Sequence, residues 1–376
     1  MRIFNATPCT APGETSFSEL LSYDFTTALN ELGHEVEKFT WDFPGTTWGW
    51  GFSKWLRKNK VKRNQELIKA VKRAHEHRKI DLYLTLSDER FIFPETICQI
   101  KKLGIPTLNF VTNDGVESEF MKMYKDIAPV FDYNWTIHLR ALRSYDKIGA
   151  KAVYTPLGAN PHEYKPYNCK REFDVTFVGV KISYREELLR AIVDAGISLH
   201  VWGVGWTGTT DRVRNLFAVW ILGDHQKRTS QFFSRLIWYT KHSDQLKTIF
   251  NPPLPNDEMI KMYSRSRISL GFAGASGRYM YDFHKAPRTI KGRDIEAPMS
   301  GAFYLTEYID EIARLYKIGK EIETYQSIPE LIDKIKYYLE NPDEAEAIRK
   351  AGRKRALKDY TWAKCFEQFF NKIGIS

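Results

Sequence analysis

Lys291-Gly292-Arg293-Asp294-Ile295-Glu296-Ala297-Pro298-Met299-Ser300-Gly301-Ala302-Phe303-Tyr304-Leu305 is the stretch from which this chain is read. Two cations flank a glycine, a carboxylate follows, and a small-residue turn leads into a short apolar strand. Gly292 lets backbone N–H groups come close to a ligand, and a helix starting there aims its positive end at an anion. Lys291 and Arg293 add full charges to that field. Glu296 lies about one helical turn further on, where its carboxylate can accept hydrogen bonds from sugar hydroxyls. The ligand this suggests is a diphosphate joined to a ribose, as in a nucleotide sugar. A surface helix with solvated charges, followed by a buried strand, would leave the same pattern.

Outward from that stretch the chain alternates strand and helix. Before it come the strand Phe173 to Val178, the loop Gly179-Val180-Lys181-Ile182-Ser183-Tyr184-Arg185, a helix to Ala195, and the strand Leu199 to Trp202. Residues 207–247 interrupt this rhythm and read as an insertion of one or two amphipathic helices. The alternation resumes with the helix Asp257 to Tyr263 and the strand Ile268 to Phe272. After the opening stretch it continues through Tyr308 to Leu357, and an apolar-faced helix, Trp362 to Phe370, closes the chain. Pro156 to Pro166 is rich in Pro, Gly and Asn and reads as a linker.

The first half repeats the pattern. Arg2 to Ala6 is a short apolar strand, followed by the turn-forming loop Thr7 to Ser16, a helix from Phe17 to Leu32, Gly33, and the strand Glu35 to Thr40. Further strands are expected at Asp81 to Leu86, Pro106 to Thr112, Tyr133 to Ile137 and Ala152 to Tyr154. Such βα alternation argues for parallel sheets covered on both faces. In such sheets ligands sit at the carboxyl ends of the strands. The residues expected there are Gly13, Glu14, Asp88, Glu89, Asn113 and Asp114. A crevice Asp can act as a base or bind a hydroxyl, but it also serves as a helix cap or turn residue.

Composition narrows the partners. The 376 residues suit two domains, and 43% hydrophobic content is ordinary for a folded chain. The net charge of +10 and pI of about 9.2 favour phosphate-bearing partners: nucleotides, nucleic acid or anionic lipid. Four widely spaced Cys form no metal pattern and no disulfide framework, which points to a reducing compartment. The N-terminus lacks the apolar core of a signal peptide, so a cytoplasmic location is expected. Two segments, 48–79 and 207–247, mix Trp and Phe with surplus Lys and Arg. Each could lie on the inner face of an anionic membrane, or pack on its own domain.

Several motifs together resemble one family. Lys291 to Tyr308, Ile318-Gly319-Lys320-Glu321-Ile322, Tyr337-Tyr338-Leu339 and Tyr360-Thr361-Trp362 look like the signature of CgeB-like, spore-maturation glycosyltransferases. Pro156-Leu157-Gly158 and Phe177-Val178-Gly179 fit as well. The resemblance covers most of the second half and, more loosely, the first. It implies a GT-B fold: two Rossmann-like domains facing across a cleft, with the last helix crossing back to the first. The expected boundaries are 1–160 for an acceptor domain, 161–358 for a donor-binding domain with its insertion, and 359–376 for the crossing helix. The resemblance also implies a nucleoside-diphosphate sugar, UDP-linked or similar, as co-substrate, with no cofactor and no bound metal. No Asp-x-Asp motif and no Cys/His cluster offers a divalent-ion site.

Residue by residue, Lys291 and Arg293 match the family's basic positions and would hold the diphosphate beside Gly292. Glu296 is similar to the second of two glutamates that mark the donor site in the wider retaining group. The first glutamate is missing here, its place being taken by Arg288. Lys181 and Arg185, in the loop after Gly179, stand where related enzymes carry phosphate-binding cations. Ser300 and Gly301 complete the expected donor set. On the acceptor side the expected residues are Gly13, Glu14, Asn113 and Asp114. Lys291 and Arg293 would stabilise the leaving diphosphate, and an inverting reaction would need Asp114 or Asp88 as base. The acceptor could be a sugar, a lipid-linked sugar, a protein or a small molecule. Two rivals remain at this level: a DNA-modifying sugar transferase of the same fold, and a non-catalytic nucleotide-sugar-binding module.

Overall fold

A computed structural model describes residues 1–8, 17–41, 50–112, 114, 121–182, 184–207, 228–242, 248–275 and 283–375. The chain divides into two compact units, Met1–Asn160 with Tyr360–Ser376, and Pro161–Asp359.

Unit 1 carries six strands: β1 (Arg2–Asn5), β2 (Glu35–Lys38), β3 (Leu82–Thr85), β4 (Thr107–Val111), β5 (Tyr133–Thr136) and β6 (Ala152–Tyr154). They form one parallel sheet in the order β2-β1-β3-β4-β5-β6. Its helices include α1 (Phe17–Glu31), α2 (Trp50–His77), α3 (Pro94–Lys101) and α4 (Leu142–Lys147). β3 and β4 are buried along their whole length. That is what a parallel sheet covered on both faces requires, and the polar Asn109 within β4 is hydrogen-bonded to the Ser87 backbone.

Unit 2 repeats the plan with β7 (Phe173–Val178), β8 (Leu199–Trp202), β9 (Phe250–Asn251), β10 (Ser266–Leu270), β11 (Tyr304–Glu307) and β12 (Glu323–Tyr325). The sheet order is β12-β11-β10-β7-β8-β9, again parallel. Its helices include α5 (Arg185–Asp194), α6 (Arg228–Lys241), α7 (Asn256–Arg265), α8 (Arg293–Met299), α9 (Asp310–Leu315), α10 (Ile328–Glu340) and α11 (Pro342–Asp359). The chain builds β7, β8 and β9 outward in one direction, then returns to the other side of β7 with β10. The two connections therefore leave β7 and β10 on opposite sides, which opens a crevice at their carboxyl ends. The two-residue edge strand β9 was not legible as a strand in the sequence. Of the expected insertion, α6 lies within the described residues.

The last helix, α12 (Trp362–Ile373), belongs to unit 1. Trp362, Cys365, Phe366, Phe369 and Phe370 are buried at helical spacing. Each large side chain among them contributes about 2 kcal/mol on leaving water. Trp135 stacks on Phe369 at 4.7 Å, and Phe25 meets Trp362 edge-on at 4.9 Å. Gly158 is required there, because a Cβ would sit 2.8 Å from Trp362. The helix is capped at one end by Thr361, whose hydroxyl accepts the Lys364 N–H at 3.2 Å. At the other end Gly374 takes the left-handed conformation, φ 70°.

Candidate functional site

In unit 2 the crevice at the ends of β7 and β10 gathers cations. Arg185 opens α5 directly after the β7 loop, and its guanidinium is buried. One Nη–H donates to the Val180 carbonyl at 2.9 Å, and the group lies 5.6 Å from the Phe177 ring. Its Nε–H is buried with no partner. Burial, and after it the Arg293 guanidinium, lower the Arg185 pKa to about 10. Two like charges thus share a poorly solvated place.

Arg293 enters from the first turn of α8. It reaches towards α7, with Nη1 3.4 Å from the Tyr263 hydroxyl and 3.4 Å from Met259 Sδ. Burial works against its charge, but Tyr263 and Glu296 more than offset this and hold its pKa up. Tyr263 itself is pushed up to about 12 by burial.

Glu296 folds back over the start of α8. A Cβ on Gly292 would stand 2.7 Å from Glu296 Oε1. The glycine therefore makes room for that carboxylate, and its φ of −52° is ordinary helical backbone. This is a different reason for Gly292 from the close ligand approach read in the sequence. Burial raises the Glu296 pKa, opposed by Arg293 and by a hydrogen bond from the Tyr164 side chain. The amide expected to point at an anion is already used, since Lys291 N–H donates to Asp294 Oδ2 at 2.6 Å. Asp294 Oδ1 accepts from the Tyr304 hydroxyl at 3.0 Å, and burial pushes its carboxyl up to about 6. Lys291 stands beside this pair, half-buried.

A second cluster closes the same edge. Glu307, at the end of β11, is buried and accepts from Tyr184 at 2.6 and 2.7 Å and from the Ala273 N–H at 2.6 Å. Arg288 donates to it at 3.2 Å and lies over the Phe283 ring at 4.9 Å. The residue standing in place of the family's first glutamate thus brings a cation, which Glu307 holds. Sequence reasoning missed Glu307, Asp294, Tyr184 and Tyr263. Their signal was polarity at a strand end or beside a core position, which a chain with 20 Tyr spreads too widely to single out.

Other expected donor residues go elsewhere. Lys181 is buried and pairs with Glu186 at 2.7 Å, under the Tyr239 hydroxyl at 2.7 Å and beside the Trp206 ring. It ties the β7 loop to α6 instead of joining Arg185 and Arg293. The Gly179 carbonyl accepts from Trp206 Nε1 at 2.7 Å, and a Cβ on Gly203 would come within 2.1 Å of it. Gly179 therefore serves loop packing. Ser300 and Gly301 lie at the far end of α8, by Pro166 and Arg353, where β11 begins. They are not brought to the carboxyl-end crevice.

In unit 1, Asp88 and Asp114 do stand at the ends of β3 and β4, but both are engaged. Arg90 holds Asp88 from its Nε at 2.9 and 3.0 Å, and the Arg90 N–H donates at 2.8 Å. Asp114 is buried, with Oδ1 2.7 Å from His138 Nδ1 and Oδ2 accepting from Tyr145 at 2.8 Å. Gly13, Glu14 and Asn113 lie outside the described residues. Among the described residues no group of three His, Cys, Asp or Glu gathers to hold a metal.

With this geometry in hand, similarity to known proteins adds two findings. Residues 185–371 match the family model described as glycosyl transferase-like, which spans α5 to α12 and so every cation of the crevice. Among solved structures, Anabaena HepE in complex with UDP-glucose matches at TM-score 0.63, with 12% identity over 100% of this chain and 99% of that one. Sucrose-phosphate synthase from Thermosynechococcus elongatus matches at TM-score 0.61, with 14% identity over 99% and 98%. A glycosyltransferase from Rickettsia africae matches at 0.60, with 12% identity over 98% and 97%. At such identities the likeness establishes the architecture, which is GT-B. No curated protein matches in sequence.

Proposed function

We propose that this glycosyltransferase, GT-B in fold and glycosyl transferase-like over residues 185–371, moves a sugar from a nucleoside diphosphate to an acceptor. One observation carries the reading. The buried guanidinium of Arg185 and the half-buried one of Arg293 lie at the switch point of the unit 2 sheet and repel each other, and Arg185 keeps an unused N–H. Mutual repulsion and burial cost free energy unless an anion enters. A diphosphate supplies that anion, and its charge grows as the sugar leaves. Fixed donors aimed at developing charge in a dry site are the strongest form of such catalysis.

Glu296, raised in pKa and lying over Gly292, accepts from the ribose hydroxyls in this reading. The donor is a UDP-sugar, as in the HepE complex. Unit 1 receives the acceptor. Asp88 and Asp114 already spend their carboxylates inside unit 1, so the reading leans on the cations rather than on a protein base. The motifs that resemble the CgeB-like group support a position in that group within the GT-B enzymes.

Titration calorimetry with UDP and with uridine tests this. UDP should bind at least about a hundredfold more tightly, since charge-assisted hydrogen bonds contribute about 1.5–3 kcal/mol each. Equal affinities, or no binding of either, would overturn the diphosphate role. Glu296→Ala should weaken both compounds alike through the ribose.

A further inference from the structure

The sequence marks two segments in which aromatic residues sit among cations, and the structure separates them. In α2, Leu67 and Val71 are buried in the unit 1 core and Trp55 packs against it, with Arg63 5.7 Å from its ring. These apolar side chains of that helix are spent on the core. α6 is different. One side docks on unit 2: Trp238 and Tyr239 are buried in the core, and Trp238 Nε1 donates to Asp194 at 2.9 Å. The other side carries Phe233, Leu236 and Ile237, exposed by 53%, 40% and 64%. Their spacing of three and one puts them on a single stripe of the helix. The other large exposed apolar residues, Tyr23, Val61, Val180, Val204 and Tyr337, sit in other elements of the described chain.

We propose that this stripe of α6 seats the protein on an anionic lipid bilayer, with Phe233, Leu236 and Ile237 entering the headgroup boundary. Charge selects the occupant. Residues 207–247 carry seven Lys or Arg (212, 214, 227, 228, 235, 241, 247) against three Asp (211, 224, 244), and the whole chain carries +10. A second copy would bring the same net positive charge and be repelled. An anionic surface attracts it, while the apolar stripe supplies the part of binding that salt does not screen. Lys241, exposed at the end of the helix, marks the level of the headgroups. No described helix is long and apolar enough to cross a membrane, so the contact is one of lying on the surface.

The test is sedimentation with vesicles of phosphatidylglycerol and phosphatidylcholine, and with phosphatidylcholine alone, comparing wild type with Phe233→Ser/Ile237→Ser. The wild type should pellet with the anionic vesicles only. The double variant should pellet about tenfold less, while melting at the same temperature and binding UDP unchanged. A single Leu236→Ser variant should fall between the two. Equal pelleting of wild type and double variant, or none by the wild type at low salt, overturns the proposal. So does a concentration-dependent dimer that the double variant abolishes, since the stripe would then meet a second copy. Because the variants leave Arg185 and Arg293 untouched, failure here leaves the donor reading standing, and the reverse holds too.

Discussion

At the carboxyl ends of the unit 1 sheet the buried charges are answered. Asp114 lies between His138 and Tyr145, and Asp88 lies under Arg90. At the same ends of the unit 2 sheet, Arg185 feels the repulsion of Arg293 and keeps an unpartnered Nε–H. Both sheets are parallel, six-stranded and open to the same kind of crevice. The difference lies in how closely the counter-charge is supplied: Asp88 and Asp114 are hydrogen-bonded to theirs, while Arg185 donates to the Val180 carbonyl and feels Glu307 through space. Buried charge that is answered locally holds a fold together, and buried charge left unanswered is completed by a ligand.

The largest effect should therefore be on stability, and in unit 1. Asp114→Ala leaves His138 and Tyr145 without their acceptor and should cost about 3–5 kcal/mol in denaturant unfolding. UDP affinity should barely change. A stable Asp114→Ala protein that has lost only activity would make Asp114 a catalytic group and break the contrast. Next comes Arg185→Met, which keeps the stem and removes the charge. It should weaken UDP by about 3 kcal/mol in calorimetry while leaving the melting temperature unchanged or higher. A large loss of stability with unchanged affinity would invert the assignment of the two edges.

Asp294 gives a smaller effect with a definite sign. Its folded pKa, near 6, lies above the ordinary carboxylate value, so the folded state holds the proton more tightly. That contribution to stability is complete at acid pH and is lost as pH rises from about 4 to about 6. Relative to Asp294→Asn, the wild type should lose about 2–3 kcal/mol across that window in urea titrations. A parallel pair of pH profiles would show that the carboxyl titrates normally. The smallest expected effect is none. If the guanidiniums carry the diphosphate charge, transfer from UDP-sugar should be the same with and without EDTA. Loss of turnover, restored by Mg²⁺, would move that charge to a metal.

Much of this was legible in the sequence, and the reason is periodicity. Apolar strands at Phe173 to Val178 and Pro106 to Thr112, helices with stops at Gly33 and Gly104, and the Lys291 to Leu305 run are local patterns. Local patterns survive in a linear text because backbone hydrogen bonding and the burial of one face depend on near neighbours. Arg293 and Glu296 stand out within that run, while Arg185 was singled out only by the resemblance to related enzymes. Lys181 could not be separated from them, although it stands four residues from Arg185. Only the packing of α6 against the β7 loop turns it to Glu186 and Tyr239.

Ser300 and Gly301 fail for a related reason. They are close to Arg293 along the chain, but a helix carries its two ends apart by about 1.5 Å per residue. The sequence thus determined two alternating α/β halves, the closing amphipathic helix and the basic stretch at Gly292. It could not choose between partners. Whether Gly292 faces a ligand or clears space for Glu296, whether Asp114 is poised or enclosed, and which aromatic face of α2 or α6 stays uncovered are decided by how side chains pack in three dimensions, in the case of Asp114 by residues 24 and 31 positions away. Tertiary packing alone brings those residues within hydrogen-bond reach, and burial alone makes an unanswered charge costly enough to matter.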